Sequence, residues 1–206
     1  MNADDTDSLT GQSPKPSGTS GRASRKKRGA RSPRHIAMDL LARRDHTRQE
    51  LRDKISSKLK AYLAANPPKT FDIDAEPLAE QTISAEDIAS ELSNEIETVL
   101  DELVSDGLLN EARYAESFVN SRIRRGQGPA RIRRELSQKG IPDDLADQAF
   151  GEVEADWLRQ AKEVREKKFG SALPADFKER ARQARFLQYR GFTGGQIQRV
   201  LGGNDD

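Results

Sequence analysis

Large apolar residues are nearly missing from the first 33 positions, where Leu9 is the one large aliphatic side chain after Met1, and from Ile36 onward they return at helical spacing. Ile36, Leu40 and Leu41 share one face of a short helix that should end near Arg44 or Asp45. Thr47 and Glu50 form a capping box before a second helix with the stripe Leu51, Ile55, Leu59 and Tyr62/Leu63; Asn66, Pro67 and Pro68 stop it. The acidic stretch that follows, with Pro77, reads as a loop. Ser84 and Asp87 offer a new cap before Ile88 and Leu92, and a further helix carries Ile96, Val99, Leu100, Leu103 and Val104 to its end at Gly107. Asn110 caps a helix with Tyr114, Ala115, Phe118, Val119, Arg122 and Ile123 inward, closing at Gly126. Pro129 suits a first helical position, where its missing N–H is no loss. That helix turns Ile132 and Leu136 inward and stops at Gly140, and Pro142 starts the next, with Leu145, Ala146, Ala149 and Phe150. The last third repeats the scheme: Trp157, Leu158, Ala161 and Val164 up to Gly170, then Phe177, Ala181, Phe186 and Leu187 to Gly191, then Thr193 to Leu201. No segment alternates with period two, so no sheet is expected.

This regularity contains a repeat of three helices, roughly 45 residues long. A shift of 51 places Arg131 on Arg182, Arg134 on Arg185, Leu136 on Leu187 and Gly140 on Gly191. A shift of 85 lays Arg48, Glu50, Leu51 and Lys54 on Arg133, Glu135, Leu136 and Lys139; there Ile55 replaces the glycine. The chain therefore divides into a disordered basic tail (1–33), a first unit (34–109) with an acidic insertion near 58–92, a second (110–153), a third (154–201) and a disordered end (202–206). The fold class is all-α: tandem three-helix, helix-turn-helix-like units in an elongated array. With 34% hydrophobic and 33% charged residues, small units that each bury a narrow stripe are easier to build than one large spherical core.

The net charge of +1 conceals segregation. Arg22, Arg25, Lys26, Lys27, Arg28, Arg31 and Arg34 form a block without an acid, residues 70–109 hold twelve acids and no Lys or Arg, and residues 110–141 hold eight cations against three acids. Basic and acidic blocks in a nearly neutral chain suggest a polyanion on one side and a protein on the other, although such runs also serve as solvated helix faces. The tail can attract phosphate but has no fixed geometry.

There is no cysteine, which removes disulfides, thiolate nucleophiles and cysteine metal sites and fits a reducing cytoplasm. No apolar run approaches a membrane span or a signal peptide. His35 and His46 stand eleven apart, outside any metal-spaced acid cluster, and the glycine pairs at 126–128 and 194–195 lack the strand and lysine of a phosphate loop. No enzyme activity, metal or cofactor is expected. Arg131 with Arg134, and Arg182 with Arg185, lie three apart on one helix face, away from Leu136 and Leu187, and so make a repeated anion site; the alternative is pairing with Glu135 or Glu179. Arg122, on an apolar stripe, reads as structural. Arg124, Arg125, Lys139 and Arg190 complete the candidate binding set.

The string G-L-L-N-E-A-R-Y-A-E-S-F-V-N-S-R-I-R-R-G-Q-G-P-A-R-I-R-R-E-L-S-Q-K-G-I (107–141) closely resembles the central signature of RecX regulatory proteins. A-M-D-L-L-A-R-R-D-H-T-R-Q-E-L (37–51) and K-E-R-A-R-Q-A-R-F-L-Q-Y-R-G-F (178–192) look like that family's first and third repeats, so the resemblance covers most of 36–201. It implies a curved array of three-helix repeats that lodges in the groove of the RecA–DNA filament. There it inhibits RecA's ATP hydrolysis, strand exchange and coprotease activity, with direct affinity for single-stranded and, secondarily, double-stranded DNA. A monomer is expected. Two other classes stand beside this reading. Residues 84–109 can pass for the helices of a helix-turn-helix DNA-binding protein, but Glu95, Glu97, Asp101 and Glu102 would repel phosphate. The other is a nucleic-acid chaperone that acts through the basic tail alone.

Overall fold

Six helices begin on a side-chain oxygen that accepts the backbone N–H three residues further on: Ser32, Thr47, Asn110, Asp156, Asp176 and Thr193. The computed structural model describes residues 32–66, 85–153 and 155–202, and these residues form nine helices and no strand. They are α1 (Pro33–Leu41), α2 (Arg48–Ala65), α3 (Ala85–Ser105), α4 (Glu111–Arg124), α5 (Pro129–Gln138), α6 (Asp143–Glu152), α7 (Trp157–Phe169), α8 (Phe177–Arg190) and α9 (Gly194–Val200). Extensive helix packing falls within α1–α3, α4–α6 and α7–α9, the tandem three-helix units expected from the repeat.

Each unit has its own core. Ile36, Leu51, Ile55, Ile96, Leu100 and Leu103 fill the first; Ala115, Val119, Ile132, Leu136 and Ile141 the second; Ala161, Leu187, Phe192, Ile197 and Leu201 the third. Arg165 is also fully buried and donates to the carbonyls of Gly170, Ser171 and Ala172, which fixes the α7–α8 connection.

Several boundaries differ from expectation. The two helices expected around Ile88 and Ile96 are one 21-residue helix, α3, because Ser93 and Asn94 interrupt the apolar stripe without breaking the backbone. Helix α1 stops at Leu41, before Arg44, and the turn that follows carries His46 and Thr47 inward. Pro142 is the cap of α6, with Asp143 its first helical residue. Ser32 and Pro33, assigned to the tail, are the cap and the buried first residue of α1. The ends of the segment assigned to the acidic insertion are helical, since α2 continues to Ala65 and α3 begins at Ala85. Residues 1–31, 67–84 and 203–206, and with them the expectations for the tail, the loop near Pro77 and the chain end, lie outside the described residues.

The acids of α3 pair with cations of α1 and α2 around the core of the first unit. Arg34 of α1 donates to Glu102 at 2.7 Å and to Asp106 at 2.8 Å. Arg48 of α2 reaches Glu97 at 2.8 Å and Asp101 at 2.7 Å, and Arg52 pairs with Glu97 as well. The Arg52 hydrogen bond, with that of Arg48, holds the Glu97 carboxyl at a pKa of about 2.

Backbone meets backbone where the third unit joins the second. Gly128 N–H donates to the Arg190 carbonyl at 2.8 Å, and Ala130 N–H to the Gly191 carbonyl at 3.0 Å. A Cβ on Gly128 would lie 2.5 Å from Phe192 N, and one on Gly191 would lie 2.6 Å from Arg131 N. Gly191 also takes a left-handed φ of +93°. Gly194 and Gly195 open α9 with nothing near their Cβ positions. Gly128→Ala or Gly191→Ala should therefore destabilise the protein by on the order of 2 kcal/mol, while Gly194→Ala and Gly195→Ala should be neutral or stabilising by a few tenths. Calorimetric melting of the four variants checks this; equal effects would remove the seam from the account.

A cationic seam as candidate functional site

The two junctions between units use equivalent positions with different charges. At the first, Lys139 at the end of α5 pairs with Glu50 of α2, His46 Nδ1 lies 3.0 Å from the same carboxylate, and Arg48 N–H donates to Glu111 at 2.8 Å. Arg113 adds a pair with Asp45 at 2.9 Å. Burial pushes the Glu50 carboxyl up, but the Lys139 hydrogen bond and charge, with Arg44 and His46, overcome it and hold the pKa at about 2. His46 shifts down, chiefly through burial and then through the charge of Arg44. By the repeat, Glu135 and Arg190 of the second junction stand where Glu50 and Lys139 stand in the first. Glu135 is already taken, by Arg122 at 2.7 Å and Arg131 at 2.9 Å. Arg190 turns instead to the Arg125 carbonyl at 3.2 Å and lies over the Phe186 ring. The second seam is left with surplus positive charge.

That charge lines two recesses on neighbouring faces of α8. A cleft of about 380 Å³ brings together Arg124 and Arg125 from the end of α4, Lys167 and Lys168 from the last turn of α7, and Arg190, against the single acid Glu163. Among the described residues the side chains of Arg124, Arg125, Lys167 and Lys168 have no ion-pair or hydrogen-bond partner. The second recess, about 680 Å³, is walled by Arg131, Arg134, Glu135 and Gln138 of α5 and Arg185, Gln188 and Tyr189 of α8. Arg134 and Arg185 are exposed and unpartnered among the described residues. Uncommitted guanidiniums facing a shared recess can bind phosphate or carboxylate without first breaking internal pairs.

The structure thus brings together six of the eight candidates in the folded units: Arg124, Arg125, Arg131, Arg134, Arg185 and Arg190. Arg131 is half-buried and committed to Glu135 and the Tyr189 carbonyl, so it is a seam residue as much as a surface one. Burial raises the Glu135 carboxyl, but the bonds and charges of Arg131 and Arg122 outweigh it and set the group below its usual range. Arg182 sits in an adjoining recess, paired with Glu179 at 3.4 Å and stacked on Phe169, so the two arginine pairs of the repeat are not equivalent. Lys139 is spent at the first junction. Of the tail set, Arg34 is an internal pair of the first unit, and Arg22 to Arg31 lie outside the described residues. Arg122 is structural, as expected: it pairs with Glu135 and lies 4.3 Å over the Phe118 ring. Lys167, Lys168 and Tyr189 were missed. Their signals were an unpaired Lys-Lys at a helix end and an aromatic two residues after Leu187, on the outward register. No cluster of potential metal ligands occurs among the described residues, and no helix among them is long and apolar enough to cross a membrane.

Residues 110–149 match the family model described as "RecX, second three-helix domain" and residues 154–201 that described as "RecX, third three-helix domain". A regulatory protein RecX of Halorhodospira halophila is 39% identical over 173 residues, 84% of this chain and 88% of that one. One from Pseudomonas tolaasii is 44% identical over 84% of this chain and 91% of its own. Among solved structures, RecX from Lactobacillus salivarius superposes with a TM-score of 0.57 at 20% identity, covering 82% of this chain and 92% of that one, a likeness of fold.

The first junction carries a pH signature. The Glu50 pKa is lowered on folding from 4.5 to about 2, so its contribution is present above pH ~4.5 and is lost as pH falls through the folded value. Glu50→Gln should cost up to roughly 3 kcal/mol at pH 7, with the difference from wild type shrinking below pH ~4.5 and vanishing near pH 2. Melting temperatures of both proteins across that range check the sign; parallel curves would contradict it.

Proposed function

Since the chain belongs to the RecX family, we propose that it is a non-enzymatic modulator, chiefly an inhibitor, of the RecA recombinase in recombinational repair and the SOS response. A cytoplasmic monomer, it lies in the groove of the RecA–DNA filament, binds single-stranded DNA and, more weakly, duplex DNA directly, and restrains ATP hydrolysis, strand exchange and coprotease activity. The observation that carries this reading is the gathering of unpartnered cations at one inter-unit seam, Arg124, Arg125, Lys167 and Lys168 on one side and Arg134 and Arg185 on the next. A filament groove presents phosphate and carboxylate together, and a rigid cationic seam complements both. The acids of α3 do not suit a DNA-recognition helix, and several are used up in pairs with Arg34, Arg48 and Arg52.

The test is ATP hydrolysis by the cognate recombinase on single-stranded DNA, titrated with this protein. Inhibition is expected well below one molecule per recombinase monomer. Arg134→Glu with Arg185→Glu should weaken inhibition about tenfold or more, while the melting temperature stays nearly unchanged, because neither side chain has an internal partner to lose among the described residues. A large fall in melting temperature would make them structural.

The tail reading is separated by truncation, which should remove residues 1–31 and spare Ser32 and Pro33, since these start α1. Direct DNA binding should weaken and its log–log salt slope should fall by roughly 0.7 for each lost phosphate contact on single strands, while filament inhibition survives at moderate salt. Inhibition that disappears with the tail and is reproduced by the tail peptide alone would put the chaperone reading in its place.

A further inference from the structure

We propose that the recess between α5 and α8 is a single-stranded nucleic-acid subsite, in which one base stacks on Tyr189 while Arg134 and Arg185 hold the flanking phosphates. The inference rests on the reading of this seam as a polyanion surface and narrows the polyanion to a strand whose bases are unstacked.

Tyr189 is 74% exposed, yet its surroundings fix one side of it. The Arg131 guanidinium lies over the ring, 5.4 Å from its centroid. Arg131 is itself anchored twice, by Nε to Glu135 at 2.9 Å and by Nη1 to the Tyr189 carbonyl at 3.4 Å. One face of the ring is backed and the other is left to solvent. An aromatic platform ordered before binding loses little entropy when a base settles on it.

The rest of the recess has the chemistry of a strand. Arg134 and Arg185 face it with no internal partner among the described residues, from α5 and α8 respectively. Glu135, the one carboxylate among the lining residues, is neutralised by Arg122 and Arg131 and so does not repel phosphate. Gln138 and Gln188 add amides that donate or accept, which tolerates any base edge. An acidic peptide would satisfy the arginines and leave the ring unused, because a carboxylate side chain has no π-face. A duplex keeps its bases stacked inside and cannot offer one to a wall. A single strand uses both parts of the site.

The experiment compares a fluorescently labelled fifteen-nucleotide oligothymidylate with an abasic strand of equal length, by anisotropy, using the full-length protein. Wild type should prefer the oligothymidylate. Tyr189→Ala should weaken that binding about tenfold and leave the abasic strand unaffected, which abolishes the preference, and Tyr189→Phe should retain it. Arg134→Ala and Arg185→Ala should weaken both strands and flatten the salt dependence. Tyr189→Ala acting equally on both strands, or on neither, overturns the proposal. Displacement of the oligothymidylate by a decaglutamate peptide as effectively as by unlabelled oligothymidylate overturns it too. Loss of the Tyr189 effect with recombinase inhibition intact defeats this subsite alone; a Tyr189 effect in a protein that does not inhibit the recombinase supports the subsite and defeats only the functional reading.

Discussion

The close approach of two glycine turns, Gly128 before α5 and Gly191 after α8, sets the geometry on which the rest of this surface depends. Two backbone hydrogen bonds cross there, and neither turn has room for a side chain at the contact. The approach places Arg131 against Tyr189 and the ends of α4 and α7 beside Arg190. A bulkier residue at either glycine would push the third unit away and open both recesses at once. The two glycines set how close the units come, and Arg131 and Arg190 each add a side-chain hydrogen bond across the approach.

Repetition with one altered pairing explains why only one junction is strongly cationic. In the first, a single carboxylate, Glu50, absorbs Lys139 and faces His46 and Arg44. In the second, its counterpart Glu135 must serve Arg122 and Arg131, and the counterpart of Lys139 is left to a carbonyl and an aromatic ring. The same three-helix plan yields a self-contained joint in one place and a joint with uncommitted cations in the other.

Helix identity was legible because caps and apolar stripes act locally: Asn110 caps α4 as its position says it should, while at α2 only half of the expected capping box forms, Thr47 accepting the Glu50 N–H as the Glu50 carboxylate turns to Lys139 and His46. The break expected between Leu92 and Ile96 was not there, since Ser93 and Asn94 lower helix propensity without preventing a helix that packs along α2. Of the candidate site, the arginines of α5 and α8 could be read from their register opposite Leu136 and Leu187. Of the wider set, the local pairing of Arg131 with Glu135 and of Arg182 with Glu179 was among the alternatives weighed, whereas the commitment of Lys139 and Arg34 could not be read, because their partners come from residues 89 and 68 positions away. Arg165, buried within a run of charged residues, had no signature of its own; the carbonyls it binds belong to a connection whose path sequence alone does not set.

Three cores in series also determine how the molecule yields under load. Within a unit, any rotation of one helix against another disturbs side chains that are fully buried, and the resistance is that of a close-packed solid. Between the second and third units the backbone links are few and lie close together, each worth about 1 kcal/mol. A load passing from the second unit to the third is therefore carried by these hydrogen bonds together with Trp157, which packs against the second core, and by Gln160, which donates to the Ile123 carbonyl.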